Sequence, residues 1–191
     1  MRRRSKRLWI DCETSGLDPK LNDIWQLAYL IEIDGEVIEE GEMMIRPSNM
    51  DTIEDKALEV GGITKEELEK IDYTIKDAVE DLKDVFGKYV DKYDKEDKFV
   101  VAGYFIHFDY QFLREMFFKS GDRYGVGSWC FTCLLDVPSF ISIGVAKYGM
   151  RFENFKLETV CKKLDVPLKA HNALSDIKAT RILYEALGGL R

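Results

Sequence analysis

Two apolar runs, IWQLAYLIEI at 24–33 and EVIEEGEMMIR at 36–46, are separated by the dipeptide Asp34-Gly35. An Asp-Gly pair between two such runs is a strong hairpin signal, because both residues accept the positive φ that a tight turn demands. Upstream, residues 7–13 alternate, with Leu8 and Ile10 set against Trp9 and Asp11, which predicts a further strand. Three strands in meander order therefore open the fold.

From residue 52 to 94 the pattern changes to frequent charges at helical spacing. Ile53, Ala57 and Leu58 precede a stop at Gly61-Gly62. Thr64-Lys65-Glu66-Glu67 then forms a Thr-x-x-Glu capping box that starts a helix. A longer helix follows, with Ile75, Val79, Leu82 and Phe86 on one stripe. The segment KFVVAG at 98–103 reads as a short buried strand, 108–119 as a helix and 121–128 as a glycine-rich loop. Another strand is expected around 129–136, then a helix or irregular segment to about 149, then helices at 156–164 and 172–188. Strands first, then alternating helices and strands, predict an α/β chain with a mixed sheet.

The 191 residues, 46% of them hydrophobic, suffice for one domain with a sizeable core. The expected division is a basic leader at 1–6, flexible and solvated or touching phosphate, and a single domain at 7–191. A net charge of -7 argues against a protein that coats nucleic acid through phosphate contacts. It does not exclude a nuclease, since bound cations neutralise clustered carboxylates. It points to a local basic groove rather than a basic face, with Arg114, Lys119 and Arg123 as candidates. No run is apolar enough for a signal peptide or membrane span, so a cytoplasmic protein without a membrane partner is expected. Cys12, Cys130, Cys133 and Cys161 then read as reduced thiols.

Four acids carry the functional argument. Side chains alternate along a strand, so Asp11 and Glu13 share a face with Trp9 and repel each other without a cation. The alternative is a strand end entering solvent. Asp109 shares a stripe with Phe112, Leu113 and Met116, where a carboxylate is costly unless paired or metal-bound. The alternative is a first-turn acid favoured by the helix dipole. Asp176 sits beside the apolar face of the last helix, and His171 lies just before its expected N-cap, Asn172. Hard-cation binding would explain all four acids at once, since magnesium and manganese prefer oxygen ligands. A histidine with an ordinary pKa near 6.5 suits a general base.

These segments resemble a known family. Asp11-Cys12-Glu13-Thr14-Ser15-Gly16-Leu17 is similar to the first motif of the DEDDh exonucleases, Asp-x-Glu-Thr-Thr-Gly-Leu. Phe108-Asp109 with Phe112-Leu113 is similar to the second, and His171-Asn172-Ala173-Leu174-Ser175-Asp176 resembles the third, His-x-Ala-x-x-Asp. Order and spacing match from about residue 7 to 188. The resemblance implies a ribonuclease H-like fold, a central mixed five-stranded sheet flanked by helices. It also implies 3'→5' removal of nucleoside 5'-monophosphates from single-stranded DNA or RNA by two-metal-ion hydrolysis. Asp11, Glu13, Asp109 and Asp176 would hold two divalent ions, Mg2+ or Mn2+, and His171 would activate water. Thr14, Ser15, Gly16 and Leu17 would meet the terminal nucleotide, and Phe105 and Phe108 would stack on bases unless they are core residues. A polymerase or other replication or repair partner and a homodimer are allowed by the resemblance. Two departures stand out. Many members have His-Asn where this chain has Tyr104-Phe105, and His-Gly where it has Gly61-Gly62.

Two other readings compete. Trp129-Cys130-Phe131-Thr132-Cys133 is similar to a thioredoxin-type or zinc-binding pair, though no second Cys-x-x-Cys follows. A catalytically silent module of the same fold, recruiting nucleic acid or partners, is the other alternative.

Overall fold

The strand at Lys6–Thr14 (β1) lies in the middle of a five-stranded sheet, in a computed structural model that describes residues 4–169 and 172–188. Its companions are Ile24–Ile33 (β2), Glu36–Met44 (β3), Val100–Gly103 (β4) and Leu135–Asp136 (β5), in the order β3-β2-β1-β4-β5. β1, β2 and β3 form the antiparallel meander, while β4 runs parallel to β1 and β5 parallel to β4. Asp34 (φ 53) and Gly35 (φ 93) make the turn between β2 and β3. Every residue of β2 is buried, which accounts for its continuous apolar run. β3 is one edge of the sheet, and its exposed glutamates discourage pairing with another chain.

Seven α-helices cover the sheet among the described residues: Asp55–Gly61 (α1), Lys65–Glu69 (α2), Ile75–Gly87 (α3), His107–Lys119 (α4), Val137–Tyr148 (α5), Leu157–Lys163 (α6) and Ala173–Ala186 (α7). The capping box at Thr64 forms as expected, its side chain taking the Glu67 N–H while Glu67 returns to the Thr64 N–H. β1 divides two cores by its alternation. Leu8 and Ile10 pack with α3 and α4 residues such as Val79, Phe86, Phe112 and Met116. Trp9 points the other way, into a core with Val137, Val160, Ile177 and Leu183. Asp11 and Glu13 follow Trp9 on that second face, so the strand itself delivers them to α7.

The strand expected around 129–136 is broken. Phe99 stands opposite Cys130, yet Ala102 stands opposite Leu135, so two extra residues on one side are extruded. Thr132 and Cys133 form the exposed bulge and only Leu135–Asp136 remain strand. The Cys-x-x-Cys pair is split by the same feature, with Cys130 buried and Cys133 exposed. Among the described residues the one group spaced to hold a metal contains no cysteine, which speaks against zinc at this pair.

α7 is pinned to the sheet by a buried charge. Glu32 on β2 is 2% exposed and accepts from Trp9 Nε1 at 3.1 Å, from Arg181 Nε at 2.7 Å and from the Arg7 guanidinium. A buried carboxylate is tolerable only when so fully paired.

Candidate active site

Asp11, Glu13 and Asp176 meet at the end of β1. Each offers an oxygen, and these oxygens all lie within 4.8 Å of one another. Asp176 reaches them because α7 lies across β1 and β2, held there by the Arg181–Glu32 contact about one turn further on.

Asp109 arrives from the opposite core. It is 5% exposed, and its Oδ1 accepts from the backbone N–H of Cys12 at 3.0 Å. The carboxylate thus sits beside β1 between Asp11 and Glu13. Burial raises the proton affinity of Asp11 well above the ordinary carboxylate range, and the charges of Asp109, Asp176 and Glu13 push it further. Burial likewise raises Asp109, against the opposing pull of backbone N–H donors including that of Cys12. The Cys12 thiol is raised by burial and by the surrounding carboxylates, which keeps it from being a ready nucleophile.

Gly103 closes this end of the sheet. A Cβ there would stand 2.9 Å from the Ile10 carbonyl oxygen and 2.7 Å from Ile106 Cδ1. Only glycine lets β4 approach β1 so closely next to Asp11. Asp136, at the start of α5, accepts from the Ile106 N–H at 3.2 Å and ties the entry of α4 to β5.

The loop Thr14–Leu17 is braced from several sides. Ser15 is fully buried, its Oγ accepts from Asp23 N at 2.9 Å, and its carbonyl accepts from Glu54 N at 2.8 Å. Asn22 fills the space above Gly16, where a Cβ would stand 2.4 Å from its Nδ2. From this braced loop Leu17 projects, 74% exposed. Neither Asn22, Asp23, Glu54 nor Asp136 was singled out by sequence, and no periodicity or motif would have done so.

Phe105 and Phe108 are surface residues, 52% and 36% exposed, so the core alternative for them is overturned. Phe105 stands edge-on to Tyr104 and Phe108 tilts against Phe112. The Tyr104-Phe105 departure now has a physical form. Tyr104 is buried and its hydroxyl donates to the Phe155 carbonyl at 2.7 Å. Phe105 has φ 52, the left-handed region that suits asparagine and strains a bulky residue. At Gly61 the Trp25 ring takes the place of a side chain, since a Cβ would stand 2.5 Å from Trp25 Cζ2.

Two expectations are not met or fall outside the described residues. Lys119 is not available for a basic groove, because its Nζ donates to Asp23 Oδ1 at 2.6 Å and to the Asn22 carbonyl at 2.7 Å. His171 lies outside the described residues, although the N-cap expected beside it, Asn172, does accept from Ser175 N at 3.0 Å.

A family model for exonucleases, RNase_T, matches residues 8–184. A Thermotoga maritima protein called DNA polymerase III PolC-type is 30% identical over 176 residues, covering 92% of this chain and 11% of that protein. Its counterpart from Mycoplasmopsis pulmonis is 28% identical over 168 residues, 85% of this chain and 10% of that protein. The chain thus spans about a tenth of the length of these curated relatives. Among solved structures, E. coli exonuclease I bound to a dT13 oligonucleotide superposes with a TM-score of 0.78 at 22% identity, over 97% of this chain and 41% of that one. An ExoI/SSB-Ct complex gives 0.77 at 20% identity, over 97% and 42%. The common fold is the ribonuclease H-like arrangement of mixed sheet and flanking helices.

Proposed function

The chain belongs to the DEDDh-type RNase_T exonuclease family, and we propose on that premise that it removes nucleotides one at a time from the 3' ends of single-stranded DNA or RNA, releasing nucleoside 5'-monophosphates. The observation that carries the reading is the meeting of Asp11, Glu13 and Asp176 within 4.8 Å, with Asp109 held against Cys12 beside them.

The donor set fits hard divalent cations: oxygens only, several negative charges, and half-buried groups that repel one another without a cation. We assign two magnesium or manganese ions to Asp11, Glu13, Asp109 and Asp176. Such ions, when bound, neutralise phosphate charge and act as Lewis acids in phosphodiester hydrolysis. His171 takes the proton of the attacking water. The water oxygen bonds to phosphorus as the P–O3' bond breaks, and the shortened strand keeps O3', which takes a proton from solvent, as its new 3'-hydroxyl.

Thr14, Ser15, Gly16 and Leu17 form the braced edge against which the terminal nucleotide lies, with Leu17 on its base. Phe105 and Phe108 supply stacking faces on the other side. The strain at Phe105 supports this, since an exposed, strained aromatic has little reason to persist in a purely structural role. The PolC-type relatives make a polymerase a reasonable partner, and the ExoI complexes make single-stranded DNA the first substrate to try. No described helix is long and apolar enough to cross a membrane. Residues 7–191 are read as one exonuclease domain, and on its family we place that domain in the cytoplasm.

The test is digestion of matched 5'-labelled single-stranded DNA and RNA with Mn2+, Mg2+ or EDTA. A ladder shortening from the 3' end, lost in EDTA and in Asp11→Ala, is expected. Substituting His171→Ala should retain thermal stabilisation by Mn2+ while losing about 10²–10⁴-fold in turnover. Full-length substrate under every condition would leave the silent-module reading standing.

A further inference from the structure

A half-buried lysine and a buried aspartate meet where α4 ends. Lys119, in the last turn of that helix, donates to Asp23 Oδ1 at 2.6 Å and to the Asn22 carbonyl at 2.7 Å. Asp23 is 3% exposed, and its Oδ2 accepts from the N–H and the hydroxyl of Ser48, each at 2.7 Å. Apolar side chains of the same size often stabilise a core as well as a buried ion pair does, so stability alone does not account for this one. Its directed bonds fix a geometry instead.

What the pair grips is the stretch that braces Thr14–Leu17. Ser15 N donates to the Asp23 carbonyl at 2.9 Å, and Asp23 N donates to Ser15 Oγ at 2.9 Å, so the two residues exchange bonds. Beside them Asn22 donates from Nδ2 to the Thr52 carbonyl at 2.6 Å, accepts at Oδ1 from Asp18 N at 2.9 Å, and fills the space above Gly16. Lys119 thus reaches the loop through Asp23 and Asn22, and its described polar partners are these two residues rather than the four acids. The other end of α4 is tied separately. Asp109, in the first turn, accepts from Cys12 N at 3.0 Å, and the Ile106 N–H at the helix entry donates to Asp136 at 3.2 Å. From Asp109 to Lys119 the helix rises roughly 15 Å at about 1.5 Å per residue. One rigid element therefore runs from the acids to the brace of the loop.

We propose that Lys119 is a positioning residue: through Asp23 and Asn22 it sets the Thr14–Leu17 edge against the acids, and so governs how tightly the terminal nucleotide is held rather than how fast its bond is cut. The inference rests on the exonuclease reading and deepens it. With Lys119 removed, the edge loses its tie to α4, while Asp109 keeps its own tie to β1. Displacing a substrate-positioning element by about 1 Å costs up to about 10²-fold. Here the loss falls on KM, because the groups that meet the reacting phosphate stay in place.

The experiment compares wild type with Lys119→Met, Lys119→Arg and a control, Lys83→Met. The control breaks another ion pair, Lys83–Asp122 at 2.6 Å, which does not touch the Thr14–Leu17 loop. One arm measures KM and kcat for thymidine 5'-monophosphate p-nitrophenyl ester in Mn2+. The other follows melting temperature as Mn2+ and then thymidine 5'-monophosphate are added, which needs no turnover. Lys119→Met should lose about 10- to 100-fold in kcat/KM, with most of it in KM. Its melting temperature should respond to Mn2+ as wild type does, while the nucleotide concentration giving half the further shift rises by about the same factor. Lys119→Arg, which keeps a cation for Asp23, should recover most of the loss, and Lys83→Met should leave KM alone. If Lys119→Met does not fold, Lys119→Gln, which keeps a donor of similar reach, should show a smaller rise in KM. Wild-type KM and nucleotide affinity in the Lys119 variants overturn the inference. So does a rise in KM for Lys83→Met equal to that for Lys119→Met, which would make the effect one of general stability, or a fall confined to kcat. If wild type cleaves neither the ester nor a strand, the exonuclease reading fails, while the nucleotide-binding arm still decides the role of Lys119; wild type that binds no nucleotide overturns both.

Discussion

The backbone N–H of Cys12 donates to Asp109 Oδ1 at 3.0 Å, joining β1 to a helix 97 residues later in the chain. The contact fixes the register between the first and second acid-bearing segments. Asp109→Asn keeps an acceptor for that N–H and should fold nearly as well, while losing at least about 10²-fold in exonuclease rate, the scale of removing one electrostatic element of a reaction centre. Asp109→Leu leaves the N–H unpaired and should cost about 1–3 kcal/mol in a urea melt. Equal stability of the two variants would show that the bond does not position the site.

Like charges at the end of β1 destabilise the metal-free protein. Asp11→Asn should therefore melt higher than wild type in EDTA, by about 2–4 °C for each kcal/mol of repulsion removed. Wild type should gain roughly 5–10 °C from Mn2+ at a hundred times its dissociation constant, and Asp11→Asn should gain little. Differential scanning fluorimetry reads both, and an equal Mn2+ response would remove Asp11 from the ligand set.

Phe105 is strained at φ 52 and half exposed. Phe105→Asn should raise stability by about 1 kcal/mol, because asparagine tolerates that backbone. The same change should weaken single-strand binding about 5- to 100-fold if the ring stacks on a base. Stabilisation without any change in KM would make the ring a bystander.

Burial pushes Asp122 up, yet Lys83 and the N–H groups of Tyr124 and Gly125 outweigh it, so its proton affinity falls below the ordinary value. A carboxylate lowered in the folded state stabilises above its unfolded pKa, near 3.9, and that contribution is lost as pH falls through the folded value. Asp122→Asn should thus be less stable than wild type by about 1–3 kcal/mol at pH 7, and the gap should close as pH falls below the ordinary carboxylate range. A gap that persists in acid would place the effect in packing rather than charge.

Glu32 accepts from Trp9 and Arg181 across the α7 face. Removing Arg181 leaves a carboxylate that is 2% exposed with Arg7 as its one described cation, beside the Trp9 N–H. Arg181→Ala should cost about 3–5 kcal/mol and blunt the Mn2+ response, because α7 carries Asp176. Loss of stability with an intact Mn2+ response would uncouple this contact from the site.

The meander was legible because Asp34-Gly35 accepts positive φ and because β1 alternates between two cores. The capping box at Thr64 was legible because it is a local hydrogen-bond pattern. The acids stood out since a carboxylate on an apolar stripe or strand face is costly wherever the chain goes. The break before β5 was not legible, because a two-residue bulge is decided by register against β4 rather than by composition. Nor could sequence tell Lys119 from Arg114. One is consumed by Asp23 and the other faces a groove, and that difference is made by residues distant in the chain.

Local and periodic constraints therefore determined from sequence alone the opening strands, most of the helices and which side chains needed an explanation. Only the tertiary structure decided that Asp11, Glu13 and Asp176 meet, that Asp109 leans on Cys12, and that Phe105 is strained at the surface. Those facts depend on the distance between segments far apart in the chain, and that distance is set by the packing of two cores on opposite faces of one sheet.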